Sequence, residues 1–271
     1  MKKISYVFLT AVMFASCSPF QKALKVDDTA YKNEIADQLY EKGKYKQAIR
    51  LYEQIEAKEG GAWKPNLQST FYKYSKSYYN AEKWEAAKPM FQKFNAVYIS
   101  SPNREETMYL EAMSAYNMSE VFTLDQHVTY EAIQKFESFL SAYPESEQKD
   151  DANTKLRELK QRIERKAYES ARLYNKIGEY TRDYNAAMVA LDNFLLDYPG
   201  TVYKTDALFY KFDSAYKLAL NSVYSKMEER LKNAIDLHED LISYEPDTKY
   251  KQEADRMLER LKKELQQFSS K

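Results

Sequence analysis

The residues of this chain able to do chemistry are few, and their spacing argues against catalysis. The two histidines, His127 and His238, lie far apart, and neither has a Cys or a second His at metal-ligand spacing. His238 falls within the apolar pattern of a helix and reads as a packing residue, whereas His127 reads as part of a solvated link. The acidic pairs Glu105-Glu106 and Asp150-Asp151 stand near expected helix starts, where negative charge favours the dipole, and read as capping features. The 5 glycines are scattered apart from Gly60-Gly61, which leaves no Gly-rich loop to cradle phosphate. The pattern points away from an enzyme and implies neither cofactor nor metal.

Cys17 is different. It is the only cysteine, so no intramolecular disulfide can form. It follows Lys2, Lys3 and a short apolar run from Ile4 to Phe14, the layout of a secretory signal too short to span a bilayer stably. The segment Phe14-Ala15-Ser16-Cys17 resembles the bacterial lipoprotein cleavage box, with Phe14 where Leu is commoner. That resemblance implies removal of residues 1–16 and acylation of Cys17, with residues 17–30 as lipidated Cys and tether. It also implies, from Ser18 and the missing acidic cluster after Cys17, a protein anchored at the periplasmic face of the outer membrane.

The bulk composition predicts an all-α protein. Only 5 Gly occur in 271 residues, where average usage gives about 19, and good helix formers fill the long segments. Lys+Arg and Asp+Glu each number 41; losing Lys2 and Lys3 leaves 39 against 41. No long block of like charge occurs, so no nucleic-acid footprint is present.

A frame recurs three times: Ala132, Pro144, Ala152; then Ala187, Pro199, Ala207; then Ala234, Pro246, Ala254. Each set adds a hydroxyl two residues after the Pro (Ser146, Thr201, Thr248) and an acid before the second Ala (Asp151, Asp206, Glu253). The Pro stops one helix, and the hydroxyl is expected to N-cap the next. Earlier, Ala36-x-x-Leu39, Gly43-x-Tyr45, Ala48 and Tyr52 resemble the tetratricopeptide pattern, and Tyr78, Trp84, Ala87, Phe91 and Phe94 repeat it with Glu82 in place of the Gly. The expected fold is an α-solenoid of about five tetratricopeptide-like helix pairs plus a C-terminal capping helix over 249–267. Repeats 1–3 would occupy 31–145, and repeats 4–5 with the cap 146–268. The third repeat carries a longer link, about 120–129, and the fourth opens with a long helix carrying Leu156, Leu159, Ile163 and Ala167 and continuing through Tyr174.

Five such repeats behind a lipoprotein signal, the extended link, the long helix through 150–177 and the tail Leu195-Leu196-Asp197-Tyr198-Pro199-Gly200-Thr201 resemble the BamD family. That family supplies the lipoprotein subunit of the outer-membrane β-barrel assembly machinery. The resemblance implies two kinds of partner: a barrel-forming subunit with periplasmic domains, docked by the C-terminal repeats, and unfolded outer-membrane proteins, received by the N-terminal repeats. Ala190 stands where an Arg is common in the family, so that ion pair is not carried over. The alternative is a generic tetratricopeptide lipoprotein that recruits cell-wall enzymes.

The first helix of each pair lines the groove in such arrays. One register puts Tyr40, Tyr79 and Tyr116 late in that helix, and Tyr72 and Tyr109 early in it, with Asn33 in the first repeat. Five tyrosines on one groove would form a platform for an extended peptide, which the family resemblance implies to be the aromatic-ended terminal segment of an unfolded outer-membrane protein.

Overall fold

The computed structural model describes residues 18–61 and 64–269; Cys17 and the expected signal lie outside them. Among the described residues there are twelve α-helices and no strand. The described chain forms two compact units, residues 18–119 with 127–156, and residues 120–126 with 157–269.

The first unit holds α1 (Pro19–Lys25), α2 (Thr29–Glu41), α3 (Tyr45–Lys58), a 3₁₀ turn (Pro65–Leu67), α4 (Gln68–Asn80), α5 (Trp84–Val97), α6 (Arg104–Met118), α7 (His127–Ala142) and the start of α8 (Lys149–Thr181). The second holds the remainder of α8, then α9 (Asn185–Asp197), α10 (Lys204–Leu220), α11 (Tyr224–Tyr244) and α12 (Lys251–Ser269). Five helix pairs run from α2 to α11, and α12 packs on α11 as the cap.

The recurring frame has a packing cause. In every second helix of a pair, a small residue is followed four and seven positions later by large ones, which puts all three on one helical face. Ala48, Ala87, Ala132, Ala187 and Ala234 are each 0% exposed, so the pattern continues into the two repeats that lack the Pro. Seven residues on, Ile55, Phe94, Phe139, Phe194 and Leu241 are all buried. The second small residue of the frame is matched by Thr70 and Thr107 in α4 and α6, and Thr70, Thr107, Ala152, Ala207 and Ala254 are all buried.

The turns inside the first two helix pairs need a left-handed residue. Gly43 supplies it at φ +68°, and the Lys44 N–H then donates to the Leu39 carbonyl at 2.8 Å. Glu82 adopts the same conformation at φ +58°, with the Lys83 N–H donating to the Tyr78 carbonyl at 3.0 Å. The repeat geometry overrides the local preference there, at a steric cost of about 1 kcal/mol. Gly178 serves a different need. A Cβ on it would fall 2.4 Å from Cδ1 of buried Tyr184, so α8 closes on the following turn only with a glycine there.

Three expectations are corrected. Residues 19–25 are a helix and not tether: Ser18 caps α1, accepting from the Gln21 N–H at 3.3 Å, and Phe20 and Ala23 are buried against the first helix pair. The hydroxyls Ser146, Thr201 and Thr248 do not occupy the N-cap. Each accepts from the N–H two residues on (Gln148 at 3.2 Å, Tyr203 at 3.1 Å, Tyr250 at 3.3 Å), making a turn that precedes the helix. Ser101 does the same for Asn103 at 3.1 Å, although no Pro stands two residues before it. The compact units divide inside α8, while α7 ends at Ala142 and α8 begins at Lys149, on either side of the expected boundary between repeats three and four. Finally, α7 begins at His127, which is exposed, so the link is residues 119–126.

That link is organised. Buried Gln126 donates from Nε2 to the carbonyls of Val121, Leu124 and Asp125 at 2.8, 3.0 and 3.2 Å. From α8, Arg162 donates to the Glu120 carbonyl at 3.2 Å, Lys166 donates to that of Leu124, and the Arg165 guanidinium lies 4.1 Å from the centre of the Phe122 ring. These contacts are why residues 120–126 belong with the second unit.

Candidate functional site

Successive first helices in the first unit are tied by side chains at one register. Asn33 of α2 accepts from Thr70 of α4 at 2.8 Å. Tyr72 of α4 donates to Glu106 of α6, and Tyr109 of α6 donates to Asp151 of α8 at 2.5 Å. Lys73 bridges to Asp37 at 2.9 Å, and Lys76 bridges to Glu106 at 2.7 Å. Glu106 and Asp151, which stand in the first turns of α6 and α8, therefore also act as acceptors between repeats.

All five candidate tyrosines are half-buried and engaged. The Tyr40 ring meets Tyr45 edge-on at 5.8 Å, with the Lys73 ammonium 6.0 Å from its centre. Tyr79 meets Trp84 and Phe91 at 4.9 and 6.1 Å. Tyr109 packs on Phe139 at 5.5 Å, and Tyr116 lies 6.4 Å from Phe136 with the Lys155 ammonium 4.8 Å from its centre. Burial raises the hydroxyl pKa of Tyr40, Tyr72, Tyr79 and Tyr109. Tyr72, which also donates to Glu106, is pushed up to about 12. The two early tyrosines spend their hydroxyls on the next repeat.

Buried polar groups fix the pairs to one another. Thr107 donates to Asn95 Oδ1 at 2.6 Å, Asn95 donates to Glu111 at 2.9 Å, and Lys135 meets the other Glu111 oxygen at 2.6 Å. In the second unit, Asn175 of α8 donates to Asp213 and Ser214 of α10, both at 2.8 Å. His238 occupies the large-residue position of its helix, as its spacing predicts. It is buried edge-on against Phe212 at 5.5 Å, with Nε2 3.1 Å from Asp255. No group of His, Cys, Asp or Glu able to hold a metal occurs among the described residues.

An open cleft of about 590 Å³ lies in the second unit, and the sequence reading missed it. Helix α8 lends Leu173, Ile177 and Tyr180, at 53%, 42% and 88% exposure, α10 lends Phe209 and Tyr210, and Tyr250 comes from the turn before α12. The signal was present in the sequence. Leu173, Ile177 and Tyr180 recur at helical spacing, offset from the buried stripe of Leu159, Ile163 and Ala171. Tyr174, expected among the packing residues of repeat four, is exposed, and Tyr168 packs on Phe194 and stacks on Tyr203 in its stead. Ala190 is half-buried against the cluster around Leu191 and Phe194, where a small residue suits the packing.

None of the described helices is long and apolar enough to cross a membrane. No curated protein sequence matches the chain. Two solved structures of TPR-like repeats of a kinesin light chain from Podosopora anserina are similar to it. They are 15% and 14% identical, with 86% and 88% of this chain covered, 92% and 96% of those chains, and a TM-score of 0.33 each. A family model described as YfiO, outer membrane lipoprotein, matches residues 25–231 and 179–269, taking in nearly all of both units. The chain therefore belongs to the YfiO, or BamD, family of outer membrane lipoproteins.

Proposed function

We propose that the protein is a non-enzymatic scaffold of the β-barrel assembly machinery, anchored by an acyl chain on Cys17 to the periplasmic face of the outer membrane. In this reading the first unit receives unfolded outer-membrane proteins along the helices that carry Tyr40, Tyr72, Tyr79, Tyr109 and Tyr116. The second docks the barrel-forming subunit. The family match carries the proposal, because it runs through both units. The tyrosines support it chemically: their rings are half-buried, rigid and held by neighbours, so a peptide laid over them orders few new side chains.

Affinity purification from detergent-solubilised outer membranes tests it. Recovery of a large β-barrel protein carrying periplasmic domains is the expected result. Recovery of peptidoglycan hydrolases alone would overturn the proposal in favour of a cell-wall adaptor.

A further inference from the structure

The ties between first helices run from α4 to α8. Two residues after the buried small residue stand Tyr72 in α4 and Tyr109 in α6, and each serves the acid of the next first helix. The same position in α8 is Thr154, bonded to the Asp150 carbonyl at 2.9 Å, and in the second unit that position lacks a hydroxyl. After Ala207 in α10 it is Phe209, which has nothing to donate. The acid it would serve is Glu253 of α12. That carboxylate is exposed and meets no hydrogen-bond or ion-pair partner among the described residues. The other acids of this position are engaged: Glu106 by Tyr72 and Lys76, Asp151 by Tyr109, and Asp206 by Tyr250 and by Lys249 at 2.6 Å.

Glu253 lines the 590 Å³ cleft together with an aromatic floor. Phe209 and Tyr250 stack with centroids 3.8 Å apart and planes 3° from parallel, and Tyr210 stands edge-on to Phe209 at 5.4 Å. The lining holds two lysines and three acids, one negative charge in excess. Lys217 is already taken by Asp213 at 2.7 Å and Glu179 at 3.2 Å, which leaves Glu253 as the acid free for a ligand.

We propose that this cleft takes an arginine side chain, presented with apolar neighbours on an extended segment of a partner protein. A planar guanidinium can pair with the Glu253 carboxylate while its apolar stem packs beside the aromatic floor, a combination that a carboxylate alone does not offer. Exposed Leu173, Ile177 and Tyr180 on α8 receive the apolar residues beside the arginine. The inference stands on the cleft and on the missing tie, and it holds whichever machinery the protein serves.

The test uses the full-length protein, from Cys17 onward without lipid, and the capped peptide acetyl-Leu-Arg-Leu-Phe-amide, followed by NMR shifts of the aromatic resonances. The control peptide carries citrulline, which keeps the shape of arginine and removes its charge. The arginine peptide should shift the Phe209 and Tyr250 signals and bind about tenfold more tightly than the control, the effect of one charge-assisted contact. Glu253→Gln, at an exposed position, should abolish that difference. Phe209→Tyr should supply the missing hydroxyl to Glu253 and weaken arginine binding severalfold, with the unfolding midpoint of the protein held. Equal binding of the two peptides, no binding of either, or an unchanged preference in Glu253→Gln would each overturn the proposal.

Discussion

Tyr109 and Asp151 are joined hydroxyl to carboxylate at 2.5 Å, although 42 residues separate them in sequence. With Tyr72 and Glu106 one repeat earlier, the pair forms a series of ties between neighbouring first helices. Each tie depends on a phenolic proton, and this gives the first unit a weakness in alkali.

Tyr72 shows the sign of that dependence. Its hydroxyl is pushed up to about 12 in the fold, by burial first and then by its bond to Glu106, against 10.0 for the free group. The unfolded chain therefore releases this proton first. Stability from the tie is complete below pH 10 and is lost as pH rises through about 12. Urea unfolding followed by helical circular dichroism should show a midpoint that falls across this range, and Tyr72→Phe should flatten the fall. An identical pH dependence in Tyr72→Phe would remove Tyr72 from the account.

The left-handed turns make a pair of opposite predictions. Glu82→Gly should stabilise the first unit by about 1 kcal/mol, because it relieves a backbone conformation that side chains disfavour. Gly43→Ala should cost a similar amount, and since an added Cβ meets nothing within 4 Å, the cost is one of backbone alone. Denaturation midpoints moving the same way in both variants would contradict this.

Gly178 tests close approach and not dihedral freedom. Gly178→Ala should destabilise by about 2 kcal/mol, since its Cβ runs into Tyr184 and the ring must move. In a double-mutant cycle with Tyr184→Ala the two costs should be strongly non-additive, because the smaller residue removes the collision. Simple additivity would mean that the clash is absorbed elsewhere.

Glu111 holds Asn95 and Lys135 in the interior between α5, α6 and α7. Glu111→Ala leaves both without their partner and should cost about 3 kcal/mol in urea unfolding. Glu111→Gln keeps an acceptor for Asn95 and should cost clearly less. Equal losses would show that shape, and not hydrogen bonding, is what the site requires.

Anchoring is checked by fractionation. Cys17→Ala should leave the protein unprocessed or release it from the membrane fraction, and wild-type membrane association in that variant would refute lipidation as the anchor.

The helix pairs were legible because small and large residues recur at helical spacing, from Ala48 and Tyr52 through Ala234 and His238, and packing follows that spacing directly. The turn before each helix was legible as a position but not as a bond. Pro and hydroxyl mark where one helix stops, yet whether Thr201 reaches the first or second N–H depends on dihedrals that composition does not carry. Helix α1 lay hidden because seven residues show too short a period, and it forms by packing Phe20 and Ala23 on the first pair. The early tyrosines could be placed on the correct helices, but their pairing with Glu106 and Asp151 needed the repeat-to-repeat stagger. The exposed stripe of Leu173, Ile177 and Tyr180 was legible in the sequence, but the cleft that it walls was not, for a similar reason. Its wall is on α8 while its floor joins α10 to α12, and only folding brings residues 173–180, 209–210 and 250–253 together.

The short helix at the start of the described chain sets a leash length. Ser18 already caps α1, so Cys17 is two residues from the first helical position, a reach of about 7 Å when extended. A lipid on Cys17 would thus seat the first helix pair against the headgroups, with little room to swing. With that anchor in place, membrane contact and the folding of that pair would be mechanically coupled: peeling α1 off its neighbours is what would let the scaffold stand away from the bilayer.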